Sequence, residues 1–76
     1  MWVYKSIIGP LIIKRVSNGR YGLFYNGELY NSSPSARAAA DDVCCFATGL
    51  SKWDSLSGFI DYPSDLSEWV QYPDNW

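Results

Sequence analysis

The sequence predicts an α+β fold: an antiparallel three- or four-stranded β-meander, one α-helix packed across one face, and a short C-terminal helix or tail. Two observations predict it. Asn-Gly occurs twice in close succession, at Asn18-Gly19 and Asn26-Gly27, each flanked by strand-like residues. This dipeptide favours the type I′ hairpin turn because both central residues need positive φ. Then Ser33-Pro34-Ser35 introduces Ala36, Ala39, Ala40, Val43, Ala47 and Leu50 at helical spacing, which marks an amphipathic helix.

Each element follows in order. Met1–Ile8 alternates Trp2 and Tyr4 with Val3 and Lys5 and reads as a strand, broken by Gly9-Pro10. Two-residue turns would pair Ser17 with Arg20 and Tyr25 with Glu28. Counting outward aligns Ile13, Phe24 and Leu29, and on the opposite face Lys14, Leu23 and Tyr30. The first face, with Leu11, Ile13, Phe24 and Leu29, is expected to receive the helix. The second is expected to be an amphipathic band of Tyr21, Tyr25 and Tyr30 around Lys14.

The helix is expected over Pro34–Thr48, capped by Ser33 with Pro34 at the first helical position and ended by a left-handed Gly49. Arg37 and Asp41 fall on its solvent side, and Phe46 fills its edge. Leu50–Leu56, with Lys52-Trp53-Asp54, reads as a further short strand. Residues 1–56 thus form the β-meander and helix, while 57–76 form an acidic, aromatic C-terminal segment packed on the same domain. Within it Ser64 is expected to cap a short helix whose Leu66, Trp69 and Val70 share a face.

Composition excludes several classes of chemistry. The 76 residues contain no histidine and only two cysteines, the neighbours Cys44 and Cys45. Adjacent helical residues diverge by about 100°, so these thiols cannot staple a loop. A reducing cytoplasm is the expected setting. Without histidine the commonest general base and metal ligand are missing, so no cofactor or metal is expected. Ser33 and Ser35 lack a base to activate them, and capping accounts for both. An enzyme is not expected. No apolar run is long enough to span a bilayer, no leader peptide is evident, and no membrane association is expected.

Charge is uneven. Residues 1–53 hold all six cations (Lys5, Lys14, Arg15, Arg20, Arg37, Lys52) against Glu28, Asp41 and Asp42, a net +3. Residues 54–76 hold Asp54, Asp61, Asp65, Glu68 and Asp74 with no cation, a net −5. No basic cluster is denser than Lys14-Arg15, too little for tight unaided duplex binding. The Asp41, Asp42 and Asp54 carboxylates read as a solvated helix face.

The run Tyr25-Asn26-Gly27-Glu28-Leu29-Tyr30-Asn31-Ser32-Ser33-Pro34-Ser35-Ala36-Arg37-Ala38-Ala39-Ala40, followed by Thr48-Gly49 and Trp53-Asp54, resembles the RAMA domain. That small module is associated with restriction enzymes and adenine methylases. The resemblance covers roughly residues 21–55. It implies an accessory role beside DNA-modification machinery in a bacterium or phage, with no catalysis by the domain itself.

The candidate partner-binding residues are Lys14, Tyr21, Tyr25, Tyr30, Arg37, Trp53, Trp69 and Tyr72, with Trp2 and Trp76 as further exposed aromatics. The tyrosine band beside Lys14 suits base stacking; alternatively the C-terminal segment lies over it. The leading expectation is a non-enzymatic binding module acting through protein contacts, with weak nucleic-acid contact at most. Two alternatives stay open: an acidic inhibitor that mimics nucleic acid, and a homodimer paired through the Met1–Ile8 edge.

Overall fold

The computed structural model describes residues 1–73, so the expectations for Asp74 and Trp76 lie outside the described residues. The chain is α+β. Its strands are β1 (Trp2–Ser6), β2 (Gly9–Arg15), β3 (Tyr21–Tyr25), β4 (Glu28–Ser33) and β5 (Val70–Gln71). Helix α1 is Ala36–Cys44, and α2 is a single turn, Ser51–Asp54. The sheet is wholly antiparallel with order β4-β3-β2-β1-β5. It has five strands rather than three or four, because the C-terminal segment returns to pair Val70 with Val3. That return pairs Trp2 and Val3 of β1 with Gln71 and Val70, so the start of β1 is not a free edge.

The first Asn-Gly loop corrects the expected register. Asn18 and Gly19 adopt the left-handed φ values of 63° and 70° that the turn requires, and the Arg20 amide reaches the Ser17 carbonyl at 3.4 Å. But the Val16 amide also donates to the Arg20 carbonyl, at 2.8 Å. Val16 and Ser17 thus both oppose Arg20, a one-residue bulge. Beyond it Ile13 pairs with Leu23 and Ile12 with Phe24, one residue away from the expected alignment. A slip of one residue moves a whole side-chain set to the other face. Leu11 and Ile13 consequently share the inner face with Tyr21, Leu23 and Tyr25, while Phe24 and Leu29, expected beside them, turn to the other face.

The second loop pairs Tyr25 with Glu28 as expected, with Asn26 and Gly27 at φ 52° and 79°. A further bulge follows. Phe24 pairs with Leu29 but Leu23 with Asn31, leaving Tyr30 as the extra residue. Tyr30 and Asn31 both turn inward. The Tyr30 ring lies 6.4 Å from that of Tyr25, and the Asn31 Nδ2 donates to Asp42 at 2.7 Å.

Helix α1 lies on this inner face through Ala36, Ala39, Ala40 and Val43, whose small side chains bring its axis close to the strands. The N-cap is Ser35, whose hydroxyl accepts from the Ala38 amide at 3.1 Å. Ser33 is instead buried and donates to Asp42 at 3.3 Å, which corrects the expected cap and places Pro34 outside the helix. The helix ends before Gly49, where Phe46 turns left-handed at φ 55°.

Leu50–Leu56 is helical rather than extended, and Asp54 is the reason. Its carboxylate accepts from the Thr48 hydroxyl at 2.8 Å and from the Thr48 and Gly49 amides at 3.1 and 3.0 Å. Donors that open a turn are thereby satisfied by a side chain at its end. Trp53 is fully buried, stacked on Phe46 at 4.9 Å, with its Nε1 donating to the Val43 carbonyl at 3.0 Å.

Asp65, not Ser64, caps the last turn, Leu66–Glu68. Trp69 enters the core beside Tyr4 at 5.7 Å, while Val70 faces outward on β5 and is 57% exposed. They do not share a face.

The two buried tryptophans differ in one respect: the Trp69 indole N–H has no hydrogen-bond acceptor among the described residues. Removing a paired donor forfeits its bond, whereas removing an unpaired buried donor relieves a desolvation cost. Trp53→Phe is expected to cost about 1–2 kcal/mol more than Trp69→Phe in urea unfolding. Equal losses would contradict this account of the core.

Candidate interaction surface

Every strand of a sheet has two faces, and among the described residues helices and loops cover only one. On the other, successive register partners form a single apolar row across all five strands: Val70, Val3, Ile12, Phe24 and Leu29. At about 4.8 Å per strand the row spans about 19 Å. Leu29 and Val70 at its ends are 53% and 57% exposed, Val3, Ile12 and Phe24 between them are half-buried, and none of the five belongs to the core cluster.

Gly22 keeps the row flat. A Cβ there would lie 2.5 Å from Leu29 Cδ1, 3.0 Å from Phe24 Cε1 and 3.1 Å from Val16 Cγ1. Leu29, Phe24 and Val16 therefore close over the glycine, extending the apolar surface without a hole. Three cations frame it. Lys14 Nζ sits 4.6 Å from the Phe24 ring centroid, a cation–π contact. Arg20 donates from Nε to Ser32 Oγ at 3.1 Å and from Nη2 to the Ser32 carbonyl at 3.0 Å, and Ser32 pairs with Gly22. Lys5 is exposed on the same side of β1 as Val3.

The residues singled out from sequence divide accordingly. Lys14 lies on this face. Tyr25, Trp53 and Trp69 are buried in the core, 6%, 0% and 5% exposed, and closed to a partner. Tyr21 and Tyr30 are half-buried on the helix side, Tyr21 edge-on to Trp2 at 6.0 Å. The base-stacking band is thus occupied by the protein's own core. Half-buried Tyr72 ties the termini, its amide donating to the Met1 carbonyl at 2.7 Å. Arg37 is exposed on α1, in a groove with Asp41, Asp65, Leu66 and Ser67. Val3, Ile12, Phe24, Leu29 and Val70 were missed as a group. The alternation within each strand is visible in the sequence, but only the register unites them.

A second opening, about 640 Å³, lies at the far end of the sheet between Tyr4, Ile7, Gly58, Phe59, Ile60 and Asp61. Ile7 and Phe59 are 75% and 82% exposed there. Burial, followed by the Glu68 and Asp61 carboxylates, raises the Tyr4 hydroxyl above its ordinary value, so at neutral pH it is a donor rather than a base. Burial likewise raises the Cys44 thiol, with Cys45 and Asp41 adding to the effect, which disfavours the reactive thiolate.

Family models, curated proteins and solved structures give no match to this chain. The geometry therefore has to carry the functional argument. Among the described residues no three His, Cys, Asp or Glu side chains are placed to hold a metal ion, and no helix is long and apolar enough to cross a membrane.

The acidic segment is organised by its own hydroxyls. Ser67 donates to Asp65 through its amide at 2.9 Å and through its hydroxyl, and Ser64 donates to Glu68 in the same two ways, the amide at 2.7 Å. These bonds hold both carboxyls below their ordinary values. A depressed folded-state value stabilises the turn above the ordinary carboxylate range and is lost as pH falls through the depressed value. In an acid titration followed by NMR, the Ser64 and Ser67 amides are expected to shift with midpoints below the ordinary values of their Glu68 and Asp65 partners. Midpoints at or above the ordinary carboxylate values would contradict these hydrogen bonds.

Proposed function

We propose that this chain is a non-enzymatic binding module that works through protein contacts, with the uncovered sheet face as its working surface. One observation carries this reading: the Val70–Val3–Ile12–Phe24–Leu29 row remains outside the core in a small domain that buries Leu11, Ile13 and Leu23 on the opposite face. Contiguous apolar surface of this kind characterises interaction sites. The RAMA-like run over residues 21–55 supports a place beside DNA-modification machinery, in a bacterial or phage cytoplasm, as an accessory to it.

Direct DNA binding is secondary in this reading. Of the cations on the face, Arg20 is held by Ser32 and Lys14 by Phe24, and tight duplex binding rests on several phosphate contacts. Nucleic-acid mimicry fits less well, because the carboxylates have structural work. Asp42 holds Asn31 and Ser33, Asp54 holds the Thr48-Gly49 turn that precedes α2, and Asp65 and Glu68 bind Ser67 and Ser64.

Anisotropy of short labelled DNA, single- and double-stranded, with and without methylated adenine, tests the division of labour. Dissociation constants weaker than about 100 μM are expected at physiological salt, tightening at low salt. Submicromolar, methylation-sensitive binding would make DNA the primary ligand and overturn the protein-contact reading.

A further inference from the structure

The uncovered face is charged on one side of the balance only. Lys5, Lys14 and Arg20 frame the apolar row. All seven carboxylates of the described residues lie elsewhere. Asp41 and Asp42 are on α1 and Asp54 on α2. Asp61, Asp65 and Glu68 are in the segment that packs against Tyr4 and α1. Glu28 is at the β3–β4 tip, paired with the inward Tyr25 and accepting from the Tyr30 hydroxyl at 3.1 Å. Among the described residues of a chain of net charge −2, the apolar face thus has a purely cationic rim.

From this segregation we propose that the face docks an acidic amphipathic segment of a partner protein: an apolar stripe to cover the row, flanked by carboxylates that meet Lys5, Lys14 and Arg20. The proposal rests on the binding-module reading and adds the partner's chemistry. Complementary potentials select a partner and speed encounter more than they add raw affinity, so charge is the specificity element and the row supplies the contact. A second copy meeting face to face would set cation against cation, which the same rule disfavours. A second copy meeting this face with its acidic helix side would be heterologous, giving a ring or an open filament rather than a dimer.

The test uses the full-length protein, isotopically labelled, and three synthetic helical peptides of about 15 residues, long enough to cross the row. One carries a Leu stripe flanked by Glu, the second the same stripe flanked by Lys, and the third the Glu composition with its Leu scattered. The Glu-flanked peptide is expected to shift the amides of Val3, Ile12, Phe24, Leu29 and Val70. It should bind about tenfold tighter than the Lys-flanked one at low salt, with the gap narrowing as salt is added. Leu29→Ser should weaken it, and the exposed pair Lys5→Glu/Lys14→Glu should reverse the preference.

Equal binding of both striped peptides at this face would overturn the charge inference and leave the module reading standing. Equal binding of the scattered peptide, or shifts confined to another face, would overturn the amphipathic docking. A response only to vesicles containing anionic lipid, or concentration-dependent self-association through the row, would replace the proposed occupant by a membrane or a second copy. No shift of the face with any peptide, vesicle or increase in protein concentration would end both proposals.

Discussion

The fold turns on a single bulge. At the first Asn-Gly loop, Val16 and Ser17 share one partner, Arg20, and the ladder beyond runs one residue out of the alignment a simple two-residue hairpin would set. Everything about the two faces descends from it. With the bulge, Ile13 meets Leu23, and Trp2 and Tyr4 join the same side through β1. Without it, Ile13 would meet Phe24, the largest apolar side chains would be split between faces, and α1 could cover only half of them. Because side chains alternate with a period of two, no gradual compromise exists between these arrangements.

The same slip explains why a chain with thirteen aromatics leaves comparatively few of the large ones on its open face. Trp2, Tyr4, Tyr21, Tyr25, Tyr30, Phe46, Trp53 and Trp69 all belong to the core or pack against it. Of the three phenylalanines, only Phe24 stands in the outward row, beside Ile12 at its centre. Small residues compensate for this bulky interior: an alanine stripe on α1 lets the helix approach, and Gly22 lets Leu29 lie across the outer face. The carboxylates of Asp42 and Asp54 then fasten the helical layer to β4 and to the Thr48 turn, so part of the acidic charge is structural.

Most local signals in the sequence carry through, apart from the Leu50–Leu56 strand and the caps expected at Ser33 and Ser64, and the non-local ones do not. Both Asn-Gly turns, the alternation of β1, the alanine stripe and the α+β class follow from chemistry within a few residues. The register does not, because the dipeptide fixes its own φ values but not where the ladder resumes. Burial of Leu23 and Tyr25 beside Leu11 and Ile13 selects the bulged form, and that is a property of the assembled core. The same limit affects the site. Trp53, Trp69 and Tyr25 read as surface aromatics because an amphipathic ring suits either a core or an interface. Lys14 sits on the open face, whereas its row of neighbours exists only once five strands are aligned. Ser33 and Ser35 were both plausible caps by residue type, and the extended backbone at Ser35 decides between them.

A small domain with one covered and one uncovered sheet face needs a reason for the second, and a binding role supplies it. Such a role requires Ile12, Phe24 and Leu29 to face away from α1. The most direct test is therefore the β2–β3 register, read from cross-strand backbone NOEs. Contacts pairing Ile13 with Leu23, and Ile12 with Phe24, are the result this account requires. Contacts pairing Ile13 with Phe24, and Lys14 with Leu23, would return the tyrosines to the outer face and remove the apolar row on which the functional reading stands.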